Sequence, residues 1–265
     1  MNPRVRVRTS VLHAPKLGQQ AETSEDAWAV EAQSGLVSVA DGASGSFESR
    51  RWAEVLTRSF VGGPPDGFSF GAFECWYRPC MVAWEREVLG HQPAPPATVA
   101  APVAPVAPSA SWYSNAAAER GAAATFVGLA VCLVPGRPIW RAMVVGDTNV
   151  FQVRDRELIF VGPLTSTAEF TLHPTLLHSR SVPVDPQSLV LLEGDYRPGD
   201  LLLVATDAMA RFMLAEAMDR PGLLGELCSM RSERFLPGAA RLVAGGRIDD
   251  DDLTVARVLI EEVPA

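Results

Sequence analysis

Acidic residues close the most apolar stretches of this chain, and they do so four times. Asp41 follows Leu36-Val37-Ser38-Val39-Ala40, and Asp147 follows Ala142-Met143-Val144-Val145-Gly146. Asp207 follows Leu201-Leu202-Leu203-Val204-Ala205-Thr206, while Asp251 and Asp252 stand directly before Leu253-Thr254-Val255-Ala256. Short apolar runs of this kind are expected as buried strands. A single acid at a strand end is ordinarily a turn former or a helix cap. Several acids at one sheet edge would repel each other strongly unless a cation sat among them. Carboxylates with a backbone carbonyl suit hard, oxygen-seeking ions such as Mg²⁺ or Mn²⁺. Gly42, next to Asp41, would let the backbone turn and bring its carbonyl to such an ion.

Further strands are expected at Arg4–Leu12, Ala27–Glu31, Thr125–Val134, Ile139–Val145, Asn149–Val153 and Leu158–Val161, and the last at Leu253–Ile260. Helical patterns fall in two blocks. The first holds Phe47–Val61 and Phe70–Leu89, with Pro79 expected to kink or break the second helix. The other holds Ala208–Met218, Gly222–Met230 and Glu233–Val243. Strands, then helices, then strands, then helices, then a closing strand predict layered α+β architecture rather than repeated βαβ units.

The formal net charge of −8 argues against a phosphate-backbone binder, so nucleic acid is not an expected partner. Arg4, Arg6 and Arg8 alternate with Val5 and Val7, as on the exposed face of a strand. Cys75, Cys80, Cys132 and Cys228 form neither a CxxC pair nor a zinc-type cluster. They are expected as buried, reduced thiols of a cytoplasmic protein. The polar start lacks the apolar core of a signal peptide, and no apolar run approaches the length of a membrane span. Residues 91–111 are rich in Pro and Ala and carry no charge, so an exposed, mobile insertion is expected within a single domain spanning 1–265. In the acid run Asp249–Asp252, Asp249 and Asp250 are expected in solvent and Asp251 toward the metal.

At these residues the chain resembles the metal-dependent protein phosphatases of type 2C. Ser24-Glu25-Asp26-Ala27 is similar to the family's early acidic motif, and Val39-Ala40-Asp41-Gly42 to its Asp-Gly motif. Gly121-Ala122-Ala123-Ala124-Thr125-Phe126 resembles its Gly-Ala-Thr strand, and Val145-Gly146-Asp147-Thr148 its Gly-Asp-Ser motif. Pro198-Gly199-Asp200-Leu201 leading to Thr206-Asp207, and the closing Asp251-Asp252-Leu253-Thr254, complete the ordered set. Pro15-Lys16-Leu17-Gly18 and Trp112-Tyr113 look closer to a bacterial branch.

The resemblance implies a four-layer αββα sandwich, two antiparallel sheets flanked by helices, with Mn²⁺ or Mg²⁺ at one edge. It implies that Asp41 bridges two ions, that the Gly42 carbonyl binds one, and that Asp207 and Asp251 complete the other. Asp147 with Asp207 would hold a third, weaker ion. Glu25, Asp26 and Asp252 would contact metal-bound waters. The implied reaction is hydrolysis of phosphoserine or phosphothreonine on a protein, opposite a Ser/Thr kinase, by attack of a metal-bridging hydroxide. Asp41, Asp207 and Asp251 are the implied catalytic acids.

The chain also departs from the family's pattern. Ala21 stands where the family often has a phosphate-holding arginine, and Lys16, the sole lysine, is a candidate replacement. Ala43 stands where some members have a histidine acid, leaving His13, His173 and His178 as candidates, and Ala208 replaces a frequent glycine. These losses keep a second reading open, a weak or inactive relative that binds a phosphoprotein or kinase as a regulator.

Overall fold

The run Leu201–Ala205 is apolar at every position because both of its faces are covered. Leu201, Leu203 and Ala205 point into a core shared with helices, and Leu202 and Val204 point into a core between two sheets. Period-2 geometry makes this division unavoidable once a strand lies in the middle of a layered stack. The computed structural model describes residues 5–90, 119–134, 136–180, 184–219 and 223–263. The Pro/Ala-rich insertion, Trp112-Tyr113, Arg4 and the side chain of Cys228 lie outside the described residues.

One five-stranded antiparallel sheet has the order β1 (Val5–Ala14), β12 (Leu253–Glu262), β11 (Leu201–Ala205), β7 (Asn149–Arg154), β8 (Glu157–Gly162). The other has the order β10 (Val190–Asp195), β6 (Ile139–Val145), β5 (Phe126–Val131), β3 (Leu36–Asp41), β2 (Asp26–Glu31). A two-residue ladder joins β4 (Ala123–Ala124) to β9 (Leu177–His178). Valines dominate the space between the large sheets: Val37, Val39, Val127, Val144, Val150, Val204 and Val258 are all buried there.

Helices α1 (Ser49–Gly62) and α2 (Phe70–Leu89) cover the β2–β3–β5–β6 sheet through Trp52, Leu56, Phe60, Phe73, Trp76 and Trp84. Gly128 of β5 is what lets Phe60 lie flat on that sheet, since a Cβ there would come within 2.3 Å of the ring. Helices α3 (Asp207–Asp219), α4 (Leu223–Ser229) and α5 (Ser232–Ala244) cover the opposite sheet through Met209, Met213, Leu224 and Phe235. The layers are therefore helix, sheet, sheet, helix, as the resemblance implies.

Some expectations change. Pro79 does not break its helix: α2 runs unbroken from Phe70 to Leu89, with Pro79 on its exposed side. Strand β10 has no counterpart in the sequence reading. Cys75 is exposed and Cys132 partly so, leaving Cys80 as the one buried thiol of the three described. Arg6 and Arg8 do lie on an exposed strand face, both paired with Glu261 across β12.

Candidate metal and phosphate site

The antiparallel register gathers the aspartates. Asp26 opens β2 and Asp41 closes β3, and the two are paired residues of that ladder. Asp207 is the first residue of α3, directly beyond β11, and Asp251 and Asp252 directly precede β12, the neighbour of β11 in the sheet. Asp147 lies in the turn from β6 to β7. The strand ends that carry these acids meet at one edge of the sandwich, so the acids share one electrostatic environment.

Their proton affinities report that sharing. Burial, then repulsion from Asp26, Asp207, Asp251 and Asp147, pushes the Asp41 carboxyl well above the usual carboxylate range. Burial also dominates at Asp26, which is raised well above it, with Asp252 and Asp207 adding repulsion. Asp147 is pushed up to about 7 by burial and by Asp207. Asp207 is raised by burial and by Asp251 and Asp249, against the bond it accepts from the Ala208 amide at 2.6 Å and the pull of Lys16.

A network beneath the site holds it in shape. The Thr206 hydroxyl donates to Asp26 Oδ2 at 3.1 Å and accepts from the Thr254 amide at 3.1 Å. The Thr254 hydroxyl in turn meets His13 Nδ1 at 3.0 Å. Asp26 Oδ1, by contrast, is buried and makes no hydrogen bond. A buried carboxylate oxygen without a donor, beside further acids, is what a cation or its hydrating water would satisfy. Among the described residues, no three His, Cys, Asp or Glu side chains converge into a closed ligand set. An ion such as Mg²⁺, which keeps several waters and takes one or two carboxylates, does not require one. By donor chemistry and charge the residues fit such ions.

Gly42 serves the site by its size. Its amide donates to the Glu25 carbonyl at 3.1 Å, and a Cβ would lie 2.9–3.0 Å from Ser49 and that same carbonyl. The start of α1 can close on the end of β3 only over a glycine.

Glu25 is fixed by the Ser49 hydroxyl, which donates to its Oε1 at 2.6 Å, and by the Ser44 hydroxyl on its Oε2. Asp252 uses both carboxylate oxygens on backbone amides, Oδ1 on Lys16 N–H at 3.1 Å and Oδ2 on Glu25 N–H at 2.8 Å. It clamps two loops to the start of β12. Asp249 is exposed and paired with Arg211 at 2.9 Å, and the exposed Asp250 accepts from the Leu17 amide at 2.8 Å. Lys16 enters the acid cluster itself, with Nζ 3.0 Å from Asp251 Oδ1 and 3.7 Å from Glu25 Oε2.

Of the candidate acid histidines, His13 is packed against Trp28, its Nε2 is buried, and burial lowers its pKa. His173 is exposed, and His178 sits on β9 with its carbonyl taken by Tyr77. The sequence motifs include Thr206 and Thr254 without giving them a role, and the sequence reading passes over Ser44 and Ser49, since nothing in the local pattern ties their hydroxyls to Glu25.

Solved structures share this architecture. The Mycobacterium tuberculosis serine/threonine phosphatase PstP/Ppp is similar at a TM-score of 0.60 and 16% identity, over 97% of this chain and 100% of that one. The PstP catalytic domain in complex with 2 manganese ions matches at a TM-score of 0.60 and 15% identity, over 97% of this chain and 100% of that one. RsbX in complex with magnesium matches at 0.53 and 14% identity, over 97% of this chain and 96% of that one. No family model matches the sequence, and no curated protein matches it at a significant level. The fold of this chain is that of bacterial serine/threonine phosphatases of the type 2C class. At these identities the likeness is one of fold.

Proposed function

We propose that this chain is a metal-dependent phosphatase that hydrolyses phosphoserine or phosphothreonine on other proteins, in the cytoplasm and opposite a Ser/Thr kinase. The observation that carries the reading is the gathering of strand-end aspartates at one sandwich edge, with Asp26 paired to Asp41 across β2 and β3, together with the undonated oxygen of Asp26. Free thiols at the three described cysteines suit a reducing compartment. Among the described residues no helix is long and apolar enough to cross a membrane.

In this reading Asp41, the Gly42 carbonyl, Asp207 and Asp251 would hold two divalent ions, Mn²⁺ or Mg²⁺, and Asp147 with Asp207 would hold a third more weakly. When bound, such ions supply an acidified water and neutralise charge on the phosphoryl group. Asp26, through its undonated oxygen, and Glu25, held by Ser44 and Ser49, would be placed to orient the waters of such ions. Asp252 acts one step back, holding the Lys16 and Glu25 loops in register. Lys16 contributes positive charge to the phosphate side of the cluster.

The test is hydrolysis of p-nitrophenyl phosphate and of a phosphothreonine peptide in EDTA, Mg²⁺ and Mn²⁺. Asp207→Asn is expected to lower kcat by on the order of a hundredfold or more while leaving the circular dichroism spectrum unchanged. Near-normal turnover in a folded Asp207→Asn protein would remove the metal assignment. A folded wild-type protein inactive with every metal would instead favour a non-catalytic regulator that binds a phosphoprotein or kinase.

A further inference from the structure

The loop after β1 is fastened to the acidic turn before β12 at two successive amides, Lys16 N–H on Asp252 and Leu17 N–H on Asp250. This fastening places the Lys16 side chain. Its ammonium lies 3.0 Å from Asp251, 3.7 Å from Glu25 and 3.3 Å from the Ser44 hydroxyl, and the side chain is 23% exposed. An ammonium has three donors and no acceptor; here Asp251 and the Ser44 hydroxyl lie within hydrogen-bond distance and Glu25 adds a longer ion pair. Asp251 Oδ1 also accepts from the Asp252 amide at 2.8 Å, so this oxygen is already doubly engaged. Asp251 is the same acid that the proposed function gives to a divalent ion. A unit positive charge a few ångströms from a divalent ion repels it, and a partly buried setting screens that repulsion poorly. The undonated oxygen of Asp26 shows that the lysine leaves part of the acid cluster uncompensated.

We infer that Lys16 is a built-in counter-cation of the Asp251 side of the site, and that a divalent ion binding there displaces its ammonium. The ion and the ammonium compete for one carboxylate, and the displaced ammonium is then available to an anionic ligand such as a phosphoryl group. The inference rests on the metal reading above and adds to it an opposition between metal loading and the lysine.

The chain helps its own test, because Lys16 is its only lysine. Selective labelling of lysine Cε and Nζ gives one side-chain NMR signal in the wild-type protein. Titration with Mg²⁺ is expected to move that signal saturably to a new position. Mn²⁺ binding, read from free Mn²⁺ by electron paramagnetic resonance, is expected to tighten roughly tenfold at one site in Lys16→Gln, a coupling of ordinary size. Lys16→Arg, which keeps the charge, is expected to bind no more tightly than wild type. Equal Mn²⁺ affinity in wild type and Lys16→Gln, with an unmoved lysine signal, would overturn the inference and leave the metal reading standing. Absence of bound Mn²⁺ in both proteins would overturn both.

Discussion

Asp41 concentrates the conflict between stability and function in one side chain. It lies at the end of a strand whose other residues are buried, and its carboxyl is held well above the usual range, first by burial and then by four neighbouring acids. A carboxyl whose folded pKa is raised destabilises the fold once pH exceeds its unfolded value of about 3.9. Asp41→Asn removes that charge at nearly constant shape. In EDTA at pH 7 the variant is therefore expected to melt at a higher temperature than wild type, while metal-dependent hydrolysis is lost. A lower melting temperature in EDTA would show that the carboxylate is compensated within the protein. Asp252 is the contrasting case, an acid of the same cluster whose oxygens both accept backbone amides. Its sequence position, next to Asp251, gives no sign of that difference, because the two amides belong to residues 236 and 227 positions away.

Helix α2 shows how tertiary packing outweighs a local signal. Its buried face, Phe73, Trp76, Tyr77, Cys80, Trp84 and Val88, repeats at helical spacing and supplies the aromatic cluster over β5 and β6. Pro79 removes one backbone donor and crowds the preceding turn, but it sits on the exposed side, so the packed face continues past it. Pro79→Ala restores the missing donor and is expected to stabilise the protein by about 1–3 kcal/mol in urea unfolding. No gain would mean that the helix is shaped to the proline. Strand β10 shows the reverse. It is an edge strand paired only with β6, its residues are partly or fully exposed, and Gly194 makes room for the Trp140 indole. No periodic pattern marks it, since it has no second sheet face to bury.

Across the whole molecule, the two sheets are tied at the end opposite the acid cluster by a second buried carboxylate. Asp200 precedes β11 and accepts from Arg154 at 2.9 and 2.7 Å, from Gln152 at 2.8 Å and from the Arg197 amide at 2.9 Å. Gln152 of β7 also accepts from Trp140 of β6 and donates to the Asp195 carbonyl of β10, so the network crosses between sheets. Burial alone would raise the Asp200 carboxyl, but the bonds from Arg154, the Arg197 amide and Gln152 outweigh it and hold the group below its ordinary value. Its contribution is therefore present above the unfolded pKa of about 3.9 and is lost as pH falls through the lower folded value. Asp200→Asn is expected to destabilise the protein at pH 7 and to flatten the fall in stability below pH 4, as followed by urea unfolding. An unchanged acid limb would assign that fall to other groups.

The local order of apolar and polar residues determined most of the elements. Runs buried on both faces read as strands, the helix faces repeat at their own spacing, and the acids that end the strands are visible because charge is rare beside such runs. Which acid does what was decided only in three dimensions. Lys16 meets Asp251, Thr206 meets Asp26 and Asp252 meets the Glu25 amide across long separations in the chain. Those contacts depend on antiparallel register and on the order of strands in each sheet, which no local pattern encodes.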